Sequence, residues 1–366
     1  MDPRIQKLAR ILVYHSARIA AGDRVAIEAT TAAEPLVRAL YREILSAGGH
    51  PYPLLKIPQQ DRELLTFGNE EQIGHVDQLR HQAYQAFESR IRIYSSTNPQ
   101  ELNDFSSSQQ ALFQQSKSPI LRTQLERGAK DEFKWVTTLF PTQAYAEQAG
   151  MDLEEFQDFV YGACLADQED PIQSWHEIKE NQAAGLDLFQ GSDRVKLTGP
   201  DIDLELSVKG RKFINCYGIN NMPDGEIFTG PVETSLNGWV RYSYPAVYSG
   251  VMVKGVELEF REGKVVRAQA EEQEDYLLKL LDSDPGARYA GEFAVGTNTQ
   301  VQRFTGNILF DEKIGGTIHI ALGSGYPETG SSNQSAIHWD MICDMRKGST
   351  IEVDGTPIYQ DGKFIL

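Results

Sequence analysis

At 366 residues the chain is longer than one hydrophobic core usually supports, so two domains are expected. About 40% of the residues are hydrophobic and no low-complexity tract appears, which marks a folded globular protein and excludes a disordered one. A formal net charge of −17 argues against a nucleic-acid backbone as partner, because no basic surplus exists to displace counterions.

Residues 3–20 carry Ile5, Leu8, Ile11, Leu12, His15 and Ile19 at helical spacing, and Gly22-Asp23 ends the pattern. Arg4, Lys7, Arg10 and Arg18 interrupt the stretch, so it offers neither a signal-peptide apolar region nor a membrane span. VAIEA (25–29) reads as a strand. EPLVRALYREILSAGG reads as a helix, with Pro35 tolerated in its first turn and Gly48-Gly49 at its end. PYPLLKI is a second strand, and its prolines place it at a sheet edge or a strand start. A helix near 76–88 leads into RIRIYSS, a third strand. The glutamine-rich SSSQQALFQQSKSPILRTQLERG predicts a helix pair, and FKWVTTLF another strand. TQAYAEQAG, DLEEFQDFVYGACL and PIQSWHEIKENQAAGLDLF follow as helices. This alternation predicts an α/β layered domain with parallel sheet over residues 1–190.

Past about residue 190 the texture changes. RVKLTGPDIDLELSVKG reads as two strands joined through Gly199-Pro200-Asp201. Strand signals then recur in KFINCYG, EIFTGPV, VMVKGVELEFREGKVVRAQA, TIHIALG, AIHWDMI and STIEVDGTPIY. Only EEQEDYLLKLLDS reads as a helix. Residues 191–366 are therefore expected to form a mainly antiparallel β domain, of α+β and barrel-like character, that carries the catalytic site. Cys164, Cys216 and Cys343 are odd in number and scattered, which argues against a disulfide framework and points to the cytoplasm.

The chemistry lies in this second half. In His338-Trp339-Asp340 the outer two residues share one face of a strand, and that face is a compact platform for a cation or a buried hydrogen-bonded pair. Thr317, His319 and Ala321 likewise share a face, with Gly315, Gly316, Gly323 and Gly325 allowing close backbone approach. Glu226 opens a strand after the turn Pro223-Asp224-Gly225. Glu292 follows Gly291, and Glu312 lies seven residues before His319. A lone glutamate is ordinarily a solvated surface group, and a lone histidine a core residue.

Together, however, Glu226, Glu292, Glu312 and Asp340 bring a charge of −4, which two divalent cations would balance. Four such carboxylates without cations would repel one another. The nitrogen donors favour zinc, cobalt or manganese over calcium, with magnesium as an alternative. An HExxH helix and a GxSxG elbow are both missing. Metal-assisted hydrolysis is thus the leading reading. Glu292 is the candidate bridge between the ions, and Tyr326, on its glycine-rich loop, is placed to donate to an oxyanion or to ligate an ion.

As a set, MPDGEIFTGP, AGEFAVGTN, DEKIGGTIHIALGSGYPETG and SAIHWDMICDMR resemble the M29 metallopeptidases, the aminopeptidases T, S and PepS. The resemblance runs from about residue 220 to 346 in the family's order. It implies a cytoplasmic, homodimeric aminopeptidase acting on peptides with a free N-terminus, with no membrane or nucleic-acid partner. It also implies two divalent ions per subunit, held by Glu226, Glu292, His319, His338 and Asp340, with Tyr326 and Glu312 at the site. The N-terminal domain is expected to wall the active site and aid dimerisation. Rival readings are a dinuclear hydrolase of another amide or ester, and a non-catalytic metal-binding protein. A nucleotide- or sugar-binding module finds little support, because VAIEATTAAEP lacks a glycine-rich phosphate loop.

Overall fold

Alternating apolar runs and helices in the first half build a parallel sheet. The computed structural model describes residues 2–365 and divides into two compact units, Met1–Ser174 with Gly218–Pro223, and Trp175–Tyr217 with Asp224–Leu366. The division falls within the helix Pro171–Asp187, ahead of the change in sequence texture.

In the first unit, strands β1 (Arg24–Thr30), β2 (His50–Lys56), β3 (Ser89–Tyr94) and β4 (Lys134–Leu139) pair in parallel in the order β2-β1-β3-β4. Asn221–Met222 adds beside β4. The five central residues of β1 are buried, as befits a strand covered on both faces. β2 takes the edge, where Pro51 and Pro53 cost no interior ladder bond. The opening helix is α-helical over Pro3–Arg10, capped by Asp2, and widens into a π-helical turn over Ile11–Ser16.

One expectation fails here: the glutamine-rich stretch is a single helix, Ser107–Gly128, with Pro119 inside it. Tertiary contacts pin both halves. Phe113 packs with Leu65 and Ile73, and Ile120 packs with Tyr84 and Phe133. Packing therefore outweighs the hydrogen bond that the proline removes.

The second unit is built from antiparallel ladders. An eight-stranded sheet runs, in spatial order, through Lys264–Gln269, Glu257–Arg261, Asn237–Arg241, Ile202–Ser207, Arg194–Gly199, Thr350–Val353, Thr356–Gln360 and Lys363–Phe364. A five-stranded sheet runs through His338–Asp344, Thr317–Gly323, Ala290–Gly296, Glu226–Thr229 and Ile214–Cys216. Strict alternation splits each strand between two environments. Phe293, Val295, Ile318, Ile320, Leu322, Trp339, Met341 and Cys343 from the smaller sheet join one apolar core with Leu197, Leu204, Val240, Leu258 and Ile351 from the larger. The opposite face of the smaller sheet is left for polar groups. The strands Asn237–Arg241 and Ala246–Tyr248 escaped the sequence reading; the glycine and proline in NGWVRYSYPAVY interrupt the pattern that marks a strand. Among the described residues no disulfide forms, and no helix is long and apolar enough to cross a membrane.

Candidate metal centre

The polar face of the five-stranded sheet gathers the predicted acids and imidazoles by register. Asp340 pairs with Ala321, and Ala321 with Glu292. One row on, Ile342, His319, Ala294 and Phe228 lie side by side, and the next row sets Thr317 and Gly296 beside Glu226. Ala321, Ala294 and Gly296 are small. They leave room above the sheet for the longer acids and imidazoles to lean together.

A bulge aims Glu292. The register shifts between Ala290 and Glu292, so Gly291 is an extra residue on that strand. Only glycine fits: a Cβ there would stand 2.3 Å from the Ser324 carbonyl oxygen and 2.5 Å from that of Gly323. The close approach has a second consequence. His338 Nδ1 donates to the Ser324 carbonyl at 2.7 Å, which turns Nε2 toward the acids.

At the centre, Glu292 offers one oxygen to each imidazole. Its Oε1 lies 3.0 Å from His319 Nε2 and its Oε2 lies 3.7 Å from His338 Nε2. Glu226 Oε2 is 3.5 Å from His319 Nε2, and Asp340 Oδ1 is 3.5 Å from His338 Nε2 and 4.0 Å from His319 Nε2. Glu312 caps the C-terminal end of the short helix Ile308–Asp311 and reaches the same cluster. Tyr326 stands at its margin, with its ring edge-on to His338 and to Phe228, both at 5.3 Å between centroids. Six of the seven predicted residues therefore converge, and Tyr326 borders them.

The sequence reading missed Lys313 and Asp224. Lys313 follows Glu312 in a segment that reads as charged loop, yet its side chain is fully buried. Its ammonium lies 2.5 Å from Glu226 Oε1, 2.7 Å from Glu312 Oε1 and 3.6 Å from Asp224 Oδ1. Gln182 also holds the Glu226 strand, donating to the backbone carbonyls of Glu226 at 2.7 Å and Cys216 at 3.0 Å. The available signal was the unusual run Asp311-Glu312-Lys313 directly after the apolar Ile308-Leu309-Phe310. Burial of that lysine depends on the fold.

The electrostatics follow from burial and proximity. Burial pushes the Glu226 and Glu312 carboxyls upward, against the pull of Lys313. Burial opposes charge on His319, but its bond to Glu292 and the charge on Glu226 carry it up to about 9. His338 rises to about 10, where Asp340 and then Glu292 outweigh burial. Burial alone would raise Asp340, but His338 and then His319 hold it well below the usual carboxylate range. Desolvation and then the charges of Glu292 and Asp340 push the Tyr326 phenol upward, so it stands as a proton donor.

A cation fits this donor set. Glu226 Oε2 and Asp340 Oδ1 are buried acceptors without a hydrogen-bond partner, and both face imidazoles. Leaving such groups unsatisfied costs about 1–3 kcal/mol each, more when charged. Among the described residues four groups of donors each gather within 4.8 Å: Glu226, Glu292 and His319; Glu292, His338 and Asp340; Glu312, His319 and Asp340; and, beside them, Cys216, Asp224 and Glu226. Lys313 offsets only one of the charges on Asp224, Glu226, Glu292, Glu312 and Asp340, so the cluster keeps a surplus of carboxylates that divalent cations would neutralise.

Comparisons with known proteins agree with this chemistry. The family described as "Thermophilic metalloprotease (M29)" matches residues 1–364. The chain is 28% identical to aminopeptidase 2 of Geobacillus stearothermophilus, over 99% of this chain and 95% of that one. It is 25% identical to aminopeptidase T of Thermus thermophilus, over 98% of this chain and 95% of that one. The fold is similar to that of wild-type AmpT from Thermus thermophilus, with a TM-score of 0.85, 23% identity and 99% of each chain covered.

Proposed function

This chain belongs to the M29 metallopeptidase family, and from that premise we propose that it is a metal-dependent aminopeptidase acting through two divalent ions. One observation carries the reading: Glu292 directs its two oxygens at two different imidazoles, joining a donor set with Glu226 and His319 to one with His338 and Asp340. A carboxylate shared in this way is what a pair of ions requires. In this reading Glu226, Glu292, Glu312, His319, His338 and Asp340 hold the ions, and the second unit is the catalytic domain.

Divalent ions bound here would supply Lewis acidity and a water acidic enough to lose its proton near neutral pH. The residues supply the rest. Lys313 holds Glu226 Oε1 and leaves Oε2 as the single oxygen facing the centre. The Ser324 carbonyl fixes the His338 tautomer. Tyr326 donates a hydrogen bond from its phenol to the oxyanion that develops on the scissile carbonyl. A requirement for the peptide's free amine defines the exopeptidase in this reading. Zinc, cobalt and manganese suit the mixed nitrogen and oxygen donors. A cytoplasmic homodimer completes the proposal.

The test compares hydrolysis of leucinamide and N-acetyl-leucinamide before chelation, after chelation and after metal is restored. The expected result is cleavage of the free amine alone, lost on chelation and recovered with metal. Equal cleavage of the blocked substrate would replace the aminopeptidase with a general amidase. For the dimer, a light-scattering mass of one subunit at micromolar concentration would refute it.

A further inference from the structure

The first unit carries a crevice that the metal chemistry does not use. Its sheet order sets β2 on one side of β1 and β3 on the other, so successive connections run in opposite directions. A gap opens beyond the carboxyl ends of β1 and β3, the place where open parallel sheets bind ligands. Here that gap is a cavity of about 670 Å³, bordered by Thr30 at the end of β1 and by Tyr94 and Ser95 at the end of β3. Its size is that of a small-molecule site.

Most of the charges lining it are already paired. Glu28 accepts from Arg80 at 2.7 and 2.9 Å and from Arg92 at 2.9 Å. Lys56 pairs with Asp61 at 2.7 Å, and Asp77 caps the helix Gln78–Ala86. Two charges are left over. Lys117 forms no ion pair among the described residues, and its ammonium rests over the Phe113 ring, 3.8 Å from the centroid. Glu101 forms none either, since neighbouring Arg62 bonds its backbone carbonyl and pairs with Asp104 instead.

Burial bears on both. It lowers the Lys117 ammonium to about 8 and raises the Glu101 carboxyl, the mark of charges desolvated without a partner. The two act on each other through space without touching. Part of the wall is apolar and open, with Leu55, Ile57, Leu79 and Tyr94 all exposed among polar residues such as Gln59, Ser96 and Gln114.

We propose that this crevice binds a free α-amino acid with an apolar side chain, its carboxylate on Lys117, its ammonium on Glu101 and its side chain against Leu55, Ile57 and Tyr94. A fatty acid or a phosphate would leave Glu101 unmatched, and an amine would leave Lys117 unmatched. An amino acid satisfies both and also uses the apolar wall. Failure of this proposal leaves the hydrolytic reading intact, because neither Lys117 nor Glu101 belongs to the metal centre.

The test is calorimetric titration of leucine into the intact, metal-loaded chain and into its Glu292→Gln form. Leucine binding is expected to survive Glu292→Gln and to weaken about tenfold or more in Lys117→Met and in Glu101→Gln, the loss of one charge-assisted bond. In the Glu292→Gln background, N-acetylleucine, which lacks the ammonium, and leucinamide, which lacks the carboxylate, should each bind about tenfold or more weakly than leucine. Circular dichroism melts establish that the variants fold. If one does not, the comparison of ligands on Glu292→Gln still decides. Any of three results overturns the proposal: no binding at millimolar leucine, leucine binding indifferent to Lys117 and Glu101, or leucyl-leucine binding that Lys117→Met weakens yet is about tenfold tighter than that of leucine.

Discussion

Glu292 and Lys313 show how differently two charged residues can be used in one pocket. Glu292 divides its oxygens between His319 and His338. Replacing it with glutamine keeps the shape and removes the charge. Glu292→Gln is expected to lose at least ~3 kcal/mol of transition-state stabilisation, about a hundredfold in kcat. Near-normal turnover in a folded, metal-loaded variant would remove Glu292 from the chemistry. Lys313 is instead an internal counter-ion, ringed by Glu226, Glu312 and Asp224. Lys313→Met strands those buried carboxylates and should cost about 3–5 kcal/mol of folding stability, read by urea denaturation of chelated protein. A loss below about 1 kcal/mol would mean that the acids simply take up protons. Glu292 was legible as a candidate because glycine precedes it and apolar residues follow. Lys313 was not, since a lysine beside two acids is an ordinary solvated motif until the fold buries it.

At the scale of elements, local chemistry places the side chains and packing holds them. The bulge at Gly291 brings the Glu292 strand against the Gly323 and Ser324 carbonyls. Gly291→Ala is expected to push these backbones apart, costing about 1–3 kcal/mol as overpacking does. Activity should fall with it, because Ser324 also orients His338. A thermal melt beside a leucinamide assay checks both, and an unchanged melting temperature would show that the strands accommodate the methyl group.

On β1, Glu28 illustrates a different balance. Burial would raise its carboxyl, but Arg92 and then Arg80 hold it down at about 2. A depressed carboxylate stabilises the fold above its unfolded value of 4.5 and loses that contribution as pH falls toward 2. The acid limb of the stability profile should therefore flatten over that window in Glu28→Gln, and an unaltered limb would assign acid sensitivity elsewhere. The helix Ser107–Gly128 supplies the contrary lesson. Its proline reads locally as a break, and contacts on either side of it keep the helix whole.

For the whole molecule, the metal-free and metal-loaded proteins should respond to pH in opposite ways. In the chelated protein His319 and His338 are raised to about 9 and about 10. A group raised on folding stabilises below its unfolded value of 6.5, and that contribution is lost as pH climbs through the folded value. Melting temperature of the chelated protein should thus decline between about pH 6.5 and 10. Metal must displace those protons, so its affinity should rise over the same interval. Titration of zinc in buffers of different ionisation enthalpy reads the released protons, and zero release near pH 7 would contradict the picture.

Strand faces, turns and the list of donors were written in the sequence, because alternation of period two and the chemistry of glycine and proline act within a few residues. His338 and Asp340 share a face for that reason alone. The meeting of Glu226, Glu292, Glu312, His319 and Asp340 was decided by the register of strands far apart in the chain, by one extra residue at Gly291, and by small residues at Ala294, Gly296 and Ala321 that leave space. So was the burial of Lys313. Coulomb energy depends on separation and dielectric, and for residues remote in sequence both exist only once the sheets have packed.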